Sequence, residues 1–197
     1  MPGPEGLCRA GGCPWAIHPT SNVRIRRRAS ERSVVAGENL WQAQTMRWTC
    51  RPDSQVPEAA KQLLATVPEW FGLPEANADY IEAARTRETW TVRNDEGKVI
   101  GLTLVDRHFP HVAELHLMVV DRDHHGQGVG TAMVQAIEED ARERGARLLE
   151  VKTLGTSHPD AGYARTRHFY ERVGFLPLEE TDLWGEENPC LFMVKPL

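Results

Sequence analysis

Three features of the 197-residue sequence predict a mixed α/β domain, an α+β mixed sheet, over 46–197. Short β-rich runs alternate with helical stretches, turns bearing Gly or Pro separate them, and the strongest helical period stands directly behind an apolar strand. Met46 to Cys50 reads as the first strand, and Val56 to Val67 as an amphipathic helix with Ala59, Leu63 and Leu64 on one side. Pro68-Glu-Trp-Phe-Gly72 breaks that helix, and a second short one fits Glu75 to Ala84. Strands follow at Thr89 to Arg93 and Val99 to Asp106, joined by a turn around Asn94-Asp-Glu-Gly97. A third runs from Val112 to Val120. Strict alternation there puts Leu115, Leu117 and Val119 on one face and Glu114, His116, Met118 and Val120 on the other.

In the next helix Val129, Met133, Ile137 and Ala141 recur every four residues, with Ala132 and Ala136 widening the stripe. Glu138 and Arg142 read as an outward i, i+4 pair, and Gly145 as the C-terminal stop. A strand at Leu148 to Thr153, a helix from Ala161 to Val173 ended by Gly174, and strands around Phe175 to Leu178 and Leu191 to Val194 complete the domain. No internal repeat is visible.

The first 45 residues lack either periodicity and are rich in Gly, Pro, Arg and Ser, so little fixed structure is expected there. Two explanations stand side by side: a disordered basic arm, or a non-native extension with Met46 as the true initiator. The segment holds six arginines against Glu5, Glu31 and Glu38, a balance of +3. Since the whole chain carries -5, the remaining residues carry -8. An acidic body argues against a polyanion as main partner and suits a cationic amine; no nucleic acid is expected, and Arg24 to Arg28 reads as a solvated run. No apolar run reaches the roughly 18 to 20 residues of a membrane span and no signal peptide is visible, so no membrane partner and a cytoplasmic setting are expected. Four cysteines make no disulfide framework, and Cys50 and Cys190, in apolar strand-like runs, are expected as buried free thiols.

Between the third strand and the long helix lies Asp121-Arg-Asp-His-His-Gly-Gln-Gly-Val-Gly130-Thr131. Glycines at alternate positions let a ligand approach the backbone closely, and a helix N-terminus adds partial positive charge, so phosphate is the natural guest. The spacing matches neither GxGxxG nor GxxxxGK[ST].

The stretch His125-Gly-Gln-Gly-Val-Gly130 resembles the Q/R-x-x-G-x-G/A signature of the GNAT superfamily of acyl-CoA-dependent N-acetyltransferases, with His125 in place of Gln or Arg. Ala164-Arg-Thr-Arg-His-Phe-Tyr-Glu-Arg-Val-Gly-Phe175 resembles that family's A-x-x-F-Y-x-x-x-G-F element. The resemblance implies the GNAT acyl-CoA N-acyltransferase fold and acetyl-CoA as cosubstrate. It implies that Met118, Val119 and Val120 offer backbone groups to the pantetheine arm, and that His125, Gly126, Gln127, Gly128, Val129, Gly130 and Thr131 hold the pyrophosphate. Tyr170 falls where the family places the tyrosine that donates to the departing thiolate. Glu114, eleven residues before His125, matches the catalytic glutamate of the histone-acetyltransferase branch. The reaction implied is acetyl transfer to a primary amine of a small molecule or protein by direct attack in a ternary complex. A catalytically silent acyl-CoA-binding or regulatory module is the alternative. A homodimer is expected by family habit.

The chemistry needs such groups. Deprotonating an alkylamine of pKa about 10.4 at pH 7 costs roughly 4 to 5 kcal/mol, so a base is required, and Glu114 or His116 can serve. A phenol of pKa about 10, such as Tyr170, is protonated at pH 7 and can donate to a thiolate. Trp70, Phe71, Tyr80 and Trp184, in segments that contact acceptors in the family, can attract a cation. Metal chemistry is not expected. The eight histidines contain no HExxH, His108-Phe-Pro-His111 reads as a turn, and Cys8, Cys13 and His18 lack a fourth ligand.

Overall fold

The computed structural model describes residues 47–197; Met46 and the readings placed on Cys8, Cys13, His18 and the Arg24 to Arg28 run lie outside the described residues. A seven-stranded mixed sheet has the order β1-β2-β3-β4-β5-β7-β6. Its strands are β1 (Cys50–Asp53), β2 (Glu88–Arg93), β3 (Val99–Phe109), β4 (Val112–Val120), β5 (Leu148–Leu154), β6 (Leu176–Thr181) and β7 (Cys190–Pro196). The helices are α1 (Pro57–Thr66), α2 (Pro74–Ala83), α3 (Val129–Glu143) and α4 (Ala161–Arg172). The predicted first strand moves from Met46–Cys50 to Cys50–Asp53, where it pairs with β2. β3 runs three residues past its predicted end, so His108 sits in a strand rather than a turn.

Two cores sandwich the sheet. On one face Val129, Met133, Ile137 and Ala141 of α3 meet Leu115, Leu149, Tyr170 and Phe175. On the other Ala60, Leu63 and Leu64 of α1 meet Leu102, Leu104, Leu117 and Val119. Each fully buried aliphatic side chain contributes about 1.5 to 3 kcal/mol. Gly101 lets α3 sit close on β3: a Cβ there would stand 2.8 Å from Met133 Sδ. Glu138 does pair with Arg142, yet it does not face outward; it is buried, and Lys195 Nζ holds it at 2.5 Å.

β4 corrects the predicted alternation. Leu104 pairs with Leu117 and Val105 with Leu115, leaving His116 as an extra residue in a β-bulge. Side-chain parity flips there. Leu115 therefore shares its core with Met118 and Val120, while Leu117 and Val119 face the α1 side. The parallel ladder of β4 with β5 also stops here, covering only Val112 to Leu115 against Leu148 to Val151.

Candidate active site

Beyond the bulge β4 and β5 part, and the wedge between them opens into a cleft of about 1090 Å³. Along β4 the Asp121 amide donates to Ile100 O at 2.8 Å, so the facing pair Gly101 and Val120 is a non-hydrogen-bonded one. By the antiparallel alternation, the amide and carbonyl of Val120 and Met118 point away from β3 into the wedge, while those of Val119 are committed to Leu102. Of the three residues singled out on this strand, Met118 and Val120 turn backbone groups into the wedge. Val119 lines the cleft only with its side chain.

The loop after β4 turns through a short 3-10 segment, Arg122–His124, that the Asp121 carboxylate caps by accepting from the Asp123 amide at 3.0 Å. Gly126 and Gly128 then take φ of 73° and 88°, which only glycine enters without strain, and α3 starts. Among the described residues, the amides of Gly126, Gly128, Val129, Gly130 and Thr131 find no protein acceptor, and all five residues line the cleft. This is a nest of N–H groups at a helix N-terminus, suited to phosphate oxygens. Gln127 does not line the cleft. Its side chain donates to Asp123 O at 2.7 Å and its carbonyl accepts from Trp48 Nε1 at 2.9 Å. His125 Nε2 lies 2.9 Å from Val120 O, which assigns the ring hydrogen to Nε2 because a carbonyl only accepts. Its ring packs edge-on against Trp70, with centroids 5.7 Å apart.

Across the wedge Tyr170 is buried edge-on between Phe169 and Phe175, and burial pushes its hydroxyl upward from the usual phenol range. Among the described residues that hydroxyl has no hydrogen-bond partner, and the residue lines the cleft, so the proton stays on and is available. Trp70, Phe71, Tyr80 and Trp184 line the same space.

The bulge residue His116 lines the cleft as well. Its Nδ1 is 3.5 Å from Asp106 Oδ2, whose carboxylate also pairs with Arg87, and its ring lies edge-on to Tyr80. Burial and the neighbouring Arg87 charge hold His116 below the usual histidine range, so it is neutral at pH 7. Glu114 does not line the cleft. It is 4 % exposed, and its two oxygens meet Lys152 Nζ at 2.8 Å and His108 Nε2 at 2.6 Å. Burial would raise its pKa, but the hydrogen bonds from Lys152 and His108 outweigh that and keep the carboxylate below its usual range. Lys152 also meets Glu150 at 2.8 Å, and the two carboxylates hold its ammonium above the usual lysine range against the opposing effect of burial. Asp106, His108 and Glu114 converge within 4.8 Å, but each carboxylate already has a cation, Arg87 for Asp106 and Lys152 for Glu114.

Of the residues proposed from sequence, Tyr170, His116, Met118, Val119, Val120, His125, Gly126, Gly128, Val129, Gly130 and Thr131 thus border one cleft, while Glu114 and Gln127 stand behind it. Sequence reasoning missed Lys152, Tyr163 and Thr166 on the cleft wall. Lys152 is the first β5 residue past the last β4 pair, a position only the strand register reveals.

The mixed sheet is thus split between its two parallel strands, with a glycine nest at the mouth of the split. The profile of the Acetyltransferase (GNAT) family matches residues 46–175, and the chain belongs to that family. An uncharacterized N-acetyltransferase of Methanocaldococcus jannaschii is 31% identical over 116 residues, 51% of this chain and 49% of its own. The chain thus spans about half the length of the curated relative it matches. A protein of Desulfovibrio desulfuricans described as a GNAT-family acetyltransferase superposes with a TM-score of 0.63 at 21% identity, over 76% of this chain and 98% of its own. A GNAT acetyltransferase of Elizabethkingia anophelis, solved with acetyl-CoA bound, gives 0.57 at 13% identity, over 76% and 98%. At these identities the two structures speak for the fold alone. No helix among the described residues is long and apolar enough to cross a membrane.

Proposed function

We propose that the protein is an acetyl-CoA-dependent N-acetyltransferase that acetylates a primary amine of a small molecule or protein by direct attack in a ternary complex. The observation that carries the reading is the pairing of five unengaged loop amides with the opened β4 edge, which offers Met118 and Val120 to an extended arm. The residues fit the cosubstrate: the nest suits a pyrophosphate, and the wedge suits a slender amide-bearing arm. Acetyl-CoA supplies the acyl group as a thioester.

His116, neutral and facing the cleft, takes a proton from the acceptor ammonium, directly or through water, and frees the amine to attack. Glu114, screened from the cleft and matched to Lys152, acts behind it by fixing the charge of the β4 and β5 face. Tyr170 donates its hydroxyl proton to the sulfur as the C–S bond breaks and the C–N bond forms, and the second proton shed by the nitrogen returns to Tyr170, leaving amide and thiol. Asp106, Glu114 and Glu150 outnumber Arg87 and Lys152 on this face, a balance of -1 that favours a cationic acceptor.

The test is thiol release from acetyl-CoA by the purified full chain across a broad panel of amines, amino acids and peptides. Amine-dependent release supports the reading. Acetyl-CoA binding with no release from any acceptor would instead favour the silent module.

A further inference from the structure

α4 belongs to the core on one face of the sheet and the α1–α2 segment to the core on the other, so the two can touch only across the opened wedge. They do touch, through Trp70. Its Nε1 donates to Thr166 Oγ1 at 3.1 Å, and its carbonyl accepts from Tyr163 Oη at 2.7 Å. The Arg165 guanidinium lies 5.9 Å from the ring centroid, and a Cβ on Gly162 would stand 3.6 Å from the indole. On its other side the ring meets His125, which holds the carbonyl of Val120, one of the two β4 residues open to the wedge. The segment is anchored at both ends: Arg122 Nε donates to Thr66 O at 2.7 Å and its guanidinium pairs with Glu69, while Asn77 Nδ2 donates to Phe71 O at 2.7 Å.

We infer that Trp70 is a positioning residue for the cosubstrate, a crossbar tied to α4 that roofs the pantetheine arm in the wedge and fixes His125 at Val120. This rests on the acetyl-CoA reading above. The crossbar spans the channel beside β4, whereas the phosphates meet the Gly126 to Thr131 amides, so its influence falls on the arm and spares the nucleotide end.

The experiment measures CoA and 3′,5′-ADP affinity by calorimetry for the wild-type full chain, Thr166→Val and Trp70→Phe. 3′,5′-ADP carries the nucleotide, its 3′-phosphate and the first 5′-phosphate, without the arm. Each variant removes the Nε1–Oγ1 bond and keeps a ring over His125. CoA affinity should fall by about two- to tenfold in both, the factor one hydrogen bond is worth, with 3′,5′-ADP affinity unchanged. Unchanged or tighter CoA binding in both variants would overturn the assignment, as would an equal loss for the two ligands, the mark of a general structural effect. A wild-type chain that binds neither ligand would remove the acetyl-CoA reading itself, and the crossbar with it.

Discussion

The two banks of the wedge are built from different materials. The bank formed by the β4–α3 loop is almost all backbone: five open amides, two glycines at positive φ and a helix N-terminus. The opposite bank, where β3, β4 and β5 run beneath His116, is a lattice of paired charged side chains in which Asp106, Glu114 and Glu150 outnumber Arg87 and Lys152. Backbone amides have no pKa to tune and fit any phosphate of the right shape. A charged lattice can set the basicity of one residue and the sign of the field around an acceptor. Under the proposed function, the contrast teaches that the constant partner is held by geometry and the variable partner by electrostatics.

Substitutions on each bank sharpen that contrast. Between the banks, Tyr170→Phe removes the proposed proton donor while keeping the ring between Phe169 and Phe175. Turnover should fall by about 10² to 10⁴ with CoA affinity unchanged, read by steady-state kinetics beside calorimetry. On the backbone bank, Gly128→Val forces a β-branched residue to φ 88°. The cost of about 1 to 3 kcal/mol should weaken CoA binding by about 5- to 150-fold, seen by calorimetry.

On the charged bank, Glu114→Gln leaves Lys152 with Glu150 alone. Stability should drop by about 1 to 3 kcal/mol in urea unfolding, the cost of removing a partner from a buried charged group. Because the folded pKa of Glu114 is depressed, its contribution is present above the unfolded carboxyl pKa and lost as pH falls through the folded value. The variant should therefore show a flatter acid limb of stability. The smallest effect is a displacement: as burial and Arg87 hold His116 below the usual histidine range, the acid limb of kcat/KM should have its midpoint below 6.5. A pH–rate profile with a midpoint above that value would separate His116 from the proton transfer.

The same division explains what could be read from the sequence. The backbone bank was legible because its chemistry is local: His125-Gly-Gln-Gly-Val-Gly130 is contiguous, and the period of Val129, Met133, Ile137 and Ala141 fixes the helix behind it. β4 kept its predicted limits, Val112–Val120, but an inserted residue leaves no mark in a run of alternating side chains, so the parity flip at His116 was hidden. The charged bank was illegible because its partners are distant. Glu114 meets Lys152 from the neighbouring parallel strand and Arg87, just before β2, meets Asp106 of β3, so no spacing announces either. Trp70 was singled out as aromatic surface near the acceptor. Its bond to Thr166, 96 residues on, exists only once the sheet has split.

The most direct test of the account is the initial rate of thiol release from acetyl-CoA, measured while acetyl-CoA and an accepted amine are both varied. Direct attack in a ternary complex predicts release that requires the amine, saturates in both substrates and gives intersecting double-reciprocal lines. No release with any amine, or parallel lines reporting an acetylated enzyme, would contradict it.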